Sequence, residues 1–277
     1  MTQLGRYNHL RVIKRTDIGI FLDGDRFGEI LLPRRYERES MQPGDEVEVF
    51  VYNDSEDRVV ATTQQPRAQV GECAYLRVVG TSKFGAFLDW GLPKDLLVPF
   101  SEQQKPMQLG YSYTAYLFID ESTDRIAAST RLENHLSLDG SGFKPRQVVD
   151  CLIYGKSSDL GFKAVVDGSH LGQFYGNETF QPLHYGERVN AYIKQIRADG
   201  RIDLMLQLPS PQQRDQLSEA IISHLRQNEG VSRLTDKSPP DAIYQAFGVS
   251  KANYKKALGR LYKQRRISIE KHLITLL

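Results

Sequence analysis

The chain has 277 residues, 40% of them hydrophobic and 25% charged, with a formal net charge of +2; this predicts two or more domains of ordinary globular composition. No apolar run approaches the roughly 18 residues that span a bilayer, which argues against a membrane partner. Cys73 and Cys151 have neither metal-ligand nor disulfide spacing and read as buried free thiols in a reducing compartment.

Met1 to Asn8 is polar and runs straight into a strand, without a signal-peptide pattern, so a cytoplasmic protein is expected. A segment then recurs three times. Ile18-Gly19-Ile20-Phe21-Leu22-Asp23 aligns with Phe84-Gly85-Ala86-Phe87-Leu88-Asp89, and Leu160-Gly161-Phe162-Lys163-Ala164 is the third copy. Pro33, Pro99 and Tyr175 each stand twelve residues beyond Phe21, Phe87 and Lys163. A glycine turn follows in every copy (Gly44, Gly110, Gly186) and leads to a hairpin whose second strand begins at Arg58, Arg125 or Arg201. In the middle copy the strands read Ala74 to Val79, the Lys83 to Leu88 stretch, Leu96 to Val98, Tyr113 to Phe118 and Arg125 to Ser129. Five short strands with turn residues between them predict a small all-β barrel, repeated three times over residues 1–65, 66–139 and 140–209. Leu208-Pro209-Ser210-Pro211 ends the third.

From Pro211 the apolar period changes from 2 to 3.6. Leu217, Ala220, Ile221 and Leu225 make one helical face, and Pro239-Pro240 opens a short helix that Gly248 ends. Ser250 is the expected N-cap of a third helix, Lys251 to Lys263, whose buried stripe reads Tyr254, Ala257, Leu258, Leu261 and Tyr262. Ile267 to Glu270 and Leu273 to Leu276 then alternate as a hairpin. This is the order of a winged helix-turn-helix domain, residues 210–277. The charge divides with it: residues 1–210 hold 24 Lys and Arg against 28 Asp and Glu, and residues 211–277 hold 12 against 6. A basic module on a near-neutral body suits a polyanionic partner.

The middle copy resembles the S1 RNA-binding domain, an OB-type barrel with a Phe-Gly-x-Phe signature and a Leu-Val-His-x-Ser closing stretch. Gly71, Phe84, Gly85, Phe87, Leu97-Val98, Ser101, Asp120 and Arg125 sit at the corresponding places. Pro99 replaces the usual His, and one extra residue separates Asp120 from Arg125. The whole chain resembles the conserved virulence factor B (YitL) family. That resemblance implies three tandem S1-type OB-fold β-barrels followed by a winged-helix domain, a mainly β fold with a small α/β tail. It also implies a bacterial RNA-binding protein concerned with post-transcriptional control.

Single-stranded RNA presents base faces for stacking and a charge at every phosphate. The expected contacts are Phe84 and Phe87 for bases, Lys83 and Arg125 for phosphate, and Asp120 for a base edge or for orienting Arg125. Arg77 and Tyr116 are further edges of the platform. Either ring reads equally as core, since a strand Phe is usually buried. The first barrel, with Ile18 for the leading ring and a net charge of −3 over residues 1–66, is the expected spacer. The third has Leu160 and Lys163 at the ring positions and binds, if it does, through Lys163, Tyr175 and Arg201. On the winged helix Lys251, Lys255, Lys256, Arg260, Lys263, Arg265 and Arg266 form a phosphate-contacting surface or a merely solvated one.

The six histidines are scattered, and neither a Walker sequence nor a dinucleotide fingerprint occurs. A non-enzyme without cofactor, metal or small-molecule substrate is expected. The alternative is a transcriptional regulator reading duplex DNA through the winged helix, with the barrels as protein scaffold; a ribosome-associated scaffold is a third reading.

Overall fold

Each repeat opens with a ten-residue strand that changes partner half-way along. In the first, β1 (Tyr7–Thr16) pairs through Tyr7 to Arg11 with β4 (Glu46–Asn53), and from Val12 onward with β2 (Gly19–Asp23). A bulge falls between Val12 and Lys14. An extra residue there bends the strand, as closing a small sheet requires. β3 (Glu29–Pro33) and β5 (Val59–Thr62) complete a closed barrel in the order β1-β2-β3-β5-β4.

The second repeat has β6 (Cys73–Ser82), β7 (Gly85–Asp89), β8 (Leu96–Pro99), β9 (Ser112–Asp120) and β10 (Arg125–Ser129). The third has β11 (Val148–Ser157), β12 (Gly161–Val166), β13 (His170–Tyr175), β14 (Arg188–Ile196) and β15 (Ile202–Met205). Their bulges lie at the equivalent points, Val78/Gly80 and Ile153/Gly155. The third barrel is closed, whereas the second is a five-stranded sheet ordered β10-β9-β6-β7-β8. There Gln103, itself buried, donates from Nε2 to the Val98 carbonyl at 3.0 Å, taking an acceptor at the edge of β8 with a side chain.

This computed structural model describes residues 1–157, 161–175, 183–207, 211–270 and 272–277, with the side chains of 157 and 211–216 also outside the description. The expected linker at residues 208–210 and Leu160 are therefore not described. The chain forms two units, Met1–Ser137 and Leu138–Leu277.

Inward positions alternate as the period of two demands: Ile20, Leu22, Ile30 and Leu32 in the first barrel, Ala86, Leu88, Leu96 and Val98 in the second, Ala164, Val166 and Phe174 in the third. The glycine opening β7 is required by a close approach. A Cβ on Gly85, at φ +153°, would stand 2.1 Å from the Val98 oxygen; on Gly19, 2.2 Å from the Leu32 oxygen.

In the first unit the outer face of β4 from Phe50 onward, and that of β5, are not exposed. Phe50, Tyr52 and Val60 pack with Trp90, Leu92 and Ala68 in the cluster that also contains the second barrel's core. Trp90 meets Phe50 and Tyr52 edge-on, at 5.7 and 6.5 Å between ring centres. Its Nε1–H donates to the Lys94 carbonyl at 2.7 Å. Burial pushes the Tyr52 phenol up to about 12.

The tail contains α1 (Pro211–Gln227), β16 (Val231–Ser232), α2 (Pro240–Phe247), α3 (Lys251–Lys263), β17 (Ile267–Ile269) and β18 (Ile274–Leu276), with sheet order β16-β18-β17. β16 was not expected; two residues are too few to show an alternation. Ser250 caps α3, accepting from the Asn253 N–H at 3.0 Å, and Gly248 ends α2 in the left-handed conformation. Tyr262 corrects the expected buried stripe: it is 57% exposed, because at 100° per residue it lies beyond Leu261 on the flank of the helix. No helix among the described residues is long and apolar enough to cross a membrane.

Candidate nucleic-acid interface

The β6–β7 hairpin puts two rings on the outside of the second barrel. Phe84 is 63% exposed at its tip, where its N–H donates to Ser82 Oγ at 3.1 Å. The Lys83 ammonium lies 5.1 Å from the centre of its ring. Phe87 follows on β7, half-buried and outward, since its neighbours Ala86 and Leu88 point to the core. Its cross-strand partners are Gly80 on β6 and Leu97 on β8. Gly80 has no side chain to lay over the ring. In the first barrel that place belongs to Lys14, which lies 5.0 Å from the centre of the Phe21 ring and pairs with Glu29 at 2.6 Å. The second barrel thus offers an uncovered ring, and the first a covered one.

The other platform residues are not gathered there. Arg77 is exposed on β6 opposite Asp89, three residues from Gly80, or roughly 10 Å along the strand. Tyr116 pairs with Cys73, seven residues from Gly80 and on the order of 20 Å away. Its ring is stacked on His135 at 4.7 Å, with Phe118 against the same imidazole at 4.9 Å. Tyr116 is therefore corrected out of the Phe84–Phe87 face.

Asp120 and Arg125 are a cross-strand pair, yet Asp120 does not orient Arg125. Its carboxylate accepts from the Ser122 N–H and Oγ and from Thr123 Oγ1, and the Ser122 bonds hold it below the usual carboxylate range. Arg125 instead pairs at 2.7 Å with Asp57 of the first barrel. Lys94, in the loop after β7, reaches the same carboxylate at 2.8 Å and the Asp54 carbonyl at 2.7 Å. Arg125 thus lies at the Lys94 end of β7, and Phe84 at the other. The extra residue in the β9–β10 turn accompanies an inter-barrel tie.

That tie makes a pH prediction. Lys94 first, then Arg125, holds the Asp57 carboxyl below its ordinary 3.8. A depressed folded-state value stabilises above the unfolded value and is lost as pH falls through the folded one. The melting-temperature advantage of the wild type over Asp57→Asn, measured by circular dichroism, is expected to be constant above about pH 5 and to vanish progressively below about pH 4.

In the third barrel Lys163 and Tyr175 share a face, Lys163 opposite Gln173 and Gly155, Tyr175 opposite Gly161. Two cations missed in the sequence lie against the Tyr175 ring: Lys194 at 5.9 Å and Arg197 at 5.4 Å. Arg197 is oriented by the buried Asp203 at 2.7 Å, which Gln195 also donates to. Arg201 is exposed beyond the start of β15, about 10 Å or more from Tyr175 along the strands, and 3.6 Å from Asp199. Phe174 is core.

On α3, Lys255, Lys256 and Lys263 are exposed with Tyr262, and Arg265 follows just beyond the helix. Lys251 and Arg260 are half-buried. Arg266 is corrected: its guanidinium forks onto Glu219 of α1 at 2.6 Å and holds that carboxyl low, so it braces the domain. Phe100, 59% exposed just after β8, was also missed, since nothing in its local spacing marks it. Among the described residues no three His, Cys, Asp or Glu side chains group to hold a metal. Burial pushes the Cys151 thiol up to about 12.

Residues 4–64 match the S1 domain and residues 219–276 the CvfB-like winged helix domain. The S1 match falls on the first barrel, whereas the motif resemblance was read on the second. The Bacillus subtilis protein YitL is 30% identical over 275 residues, covering 95% of this chain and 90% of its own. Conserved virulence factor B of Staphylococcus epidermidis is 28% identical, with 87% and 83% covered. A crystal structure of a multidomain protein with nucleic acid binding domains from Streptococcus pneumoniae is 24% identical over 99% of this chain and 98% of that one, with a TM-score of 0.43. S1 barrels and winged helices are nucleic-acid-binding modules, and on the full-length similarity to YitL the chain belongs to the conserved virulence factor B (YitL) family.

Proposed function

We propose that this is a non-catalytic, cytoplasmic RNA-binding protein of bacteria that holds single-stranded RNA on its S1-type barrels and acts in post-transcriptional control. The four-part division at residues 65/66, 139/140 and 209/210 belongs to the same reading. The observation that carries it is the exposed Phe84 with the Lys83 ammonium over its ring and the outward, half-buried Phe87 on the same hairpin, opposite the bare Gly80. Rings open to solvent are stacking surfaces, and a flanking ammonium suits the adjoining phosphate. Lys163 and Tyr175 are a second contact set, and the lysines of α3 add charge. Linked weak sites gain through effective concentration.

Fluorescence anisotropy of the full chain with an unstructured RNA 12-mer, the same DNA sequence and a DNA duplex tests this. Tighter binding of RNA, weakening with salt, is expected; preference for the duplex overturns it in favour of the DNA regulator. In the variant Lys255→Gln/Lys256→Gln/Lys263→Gln, the slope of log affinity against log salt is expected to shrink by about 2, at roughly 0.7 per single-strand phosphate contact. An unchanged slope shows that face to be merely solvated.

A further inference from the structure

We infer that Phe100 is a base-stacking residue, paired with Phe84 in a two-ring clamp that takes one unstacked base of a single-stranded nucleic acid; this rests on the reading of the Phe84–Phe87 face given above. Gly85 and Pro99 are Cα partners at the ends of β7 and β8. Phe84, in the β6–β7 turn, comes just before the one, and Phe100, opening a 3-10 turn, just after the other, so the two flank the last paired rung of the β7–β8 ladder. The Cα atoms of such a paired rung are about 4.5–5.5 Å apart, so the residues that flank it on the two strands start close together. Both rings stand in solvent, at 63% and 59% exposure.

The first barrel supplies an internal comparison. Its equivalent positions hold Ile18 and Arg34, with the Arg34 N–H donating to the Ile18 oxygen at 3.1 Å. Rings on both sides are thus a feature of the second barrel's sequence and not of the fold. Phe100 is held from behind: it opens a 3-10 turn whose Gln103 N–H returns to the Phe100 oxygen at 3.2 Å, while the Gln103 side chain fixes Val98. The occupant follows from the surroundings. Lys83 beside Phe84 supplies a cation for the neighbouring phosphate, and Phe87 continues the surface along β7. A base in a duplex has both faces stacked already, so the clamp selects unpaired bases.

The test uses the full chain and a fluorescein-labelled uridine 12-mer at constant salt. Phe100→Ala is expected to weaken binding by roughly five- to hundredfold without lowering the melting temperature, as removal of one base–ring stack would. Phe100→Trp should keep the affinity, with an indole emission quenched on addition of RNA. Because both rings hold one base, Phe84→Ala/Phe100→Ala should lose less than the product of the single losses. Phe100→Ala within twofold of wild type, or losses that multiply, overturns the clamp; if Phe84→Ala/Phe87→Ala still abolishes binding, the reading of the ring face stands. A wild-type chain that does not bind the oligomer, or Phe100→Trp emission answering only to an apolar peptide, overturns both.

Discussion

Replacing Phe84 and Phe87 together by alanine is expected to weaken binding of unstructured RNA by about 2–4 kcal/mol, a loss of roughly 30- to 1000-fold. Each ring stack contributes about 1–3 kcal/mol, and two rings serving adjacent bases are less than fully additive. The two residues separate by their effect on folding. Phe84 stands free at the hairpin tip, so Phe84→Ala alone should leave the melting temperature unchanged. Phe87 lies against Gly80 and Leu97, so its loss carries a modest stability cost as well. Anisotropy titrations beside melting curves distinguish the two contributions. An affinity unchanged in the double variant would leave the α3 lysines and the third barrel as the remaining contacts.

Trp90→Ala is expected to destabilise the first unit by about 3–5 kcal/mol, the cost of removing a large aromatic from a core. Three losses coincide there. The indole is 3% exposed, it seats Phe50 and Tyr52 of the first barrel, and its Nε1–H ties down the loop carrying Lys94. Loosening that loop also frees Lys94 from Asp57. A fall in melting temperature of about 10 °C is expected by calorimetry for a unit of this size. A fall of under about 3 °C would show that the two barrels do not share a core. Phe84→Ala, remote from this contact, is the control.

The repeat was legible because barrel geometry fixes distances along the chain. The glycine before Phe87 must approach the Val98 oxygen, and the closing Leu-Val-Pro stretch must arrive twelve residues later to provide it. The caps of the tail were legible for the same local reason: Ser250 and Gly248 act on groups within four residues. What was not legible depends on partners distant in sequence. Gly80 reads as an ordinary glycine until the bulge in β6 sets it opposite Phe87. Arg125 reads as a phosphate contact until the first barrel brings up Asp57, and Tyr116 as a platform until His135 stacks on it. Arg266 counted as one more cation until α1 presented Glu219. In each case side-chain type suggested a role and docking or register assigned another. The covered Phe21 of the first barrel makes the same point, since only the pairing of Lys14 across the bulge distinguishes it from Phe87.

The most direct measurement is photo-crosslinking of the full chain to a 5-iodouridine-substituted RNA oligomer, with the modified peptides mapped by mass spectrometry. Crosslinks on the segment from Lys83 to Phe87, falling away in the Phe84→Ala/Phe87→Ala variant, are the predicted result. Crosslinks confined to the first barrel or to the winged helix, with the second barrel unmarked, would contradict it.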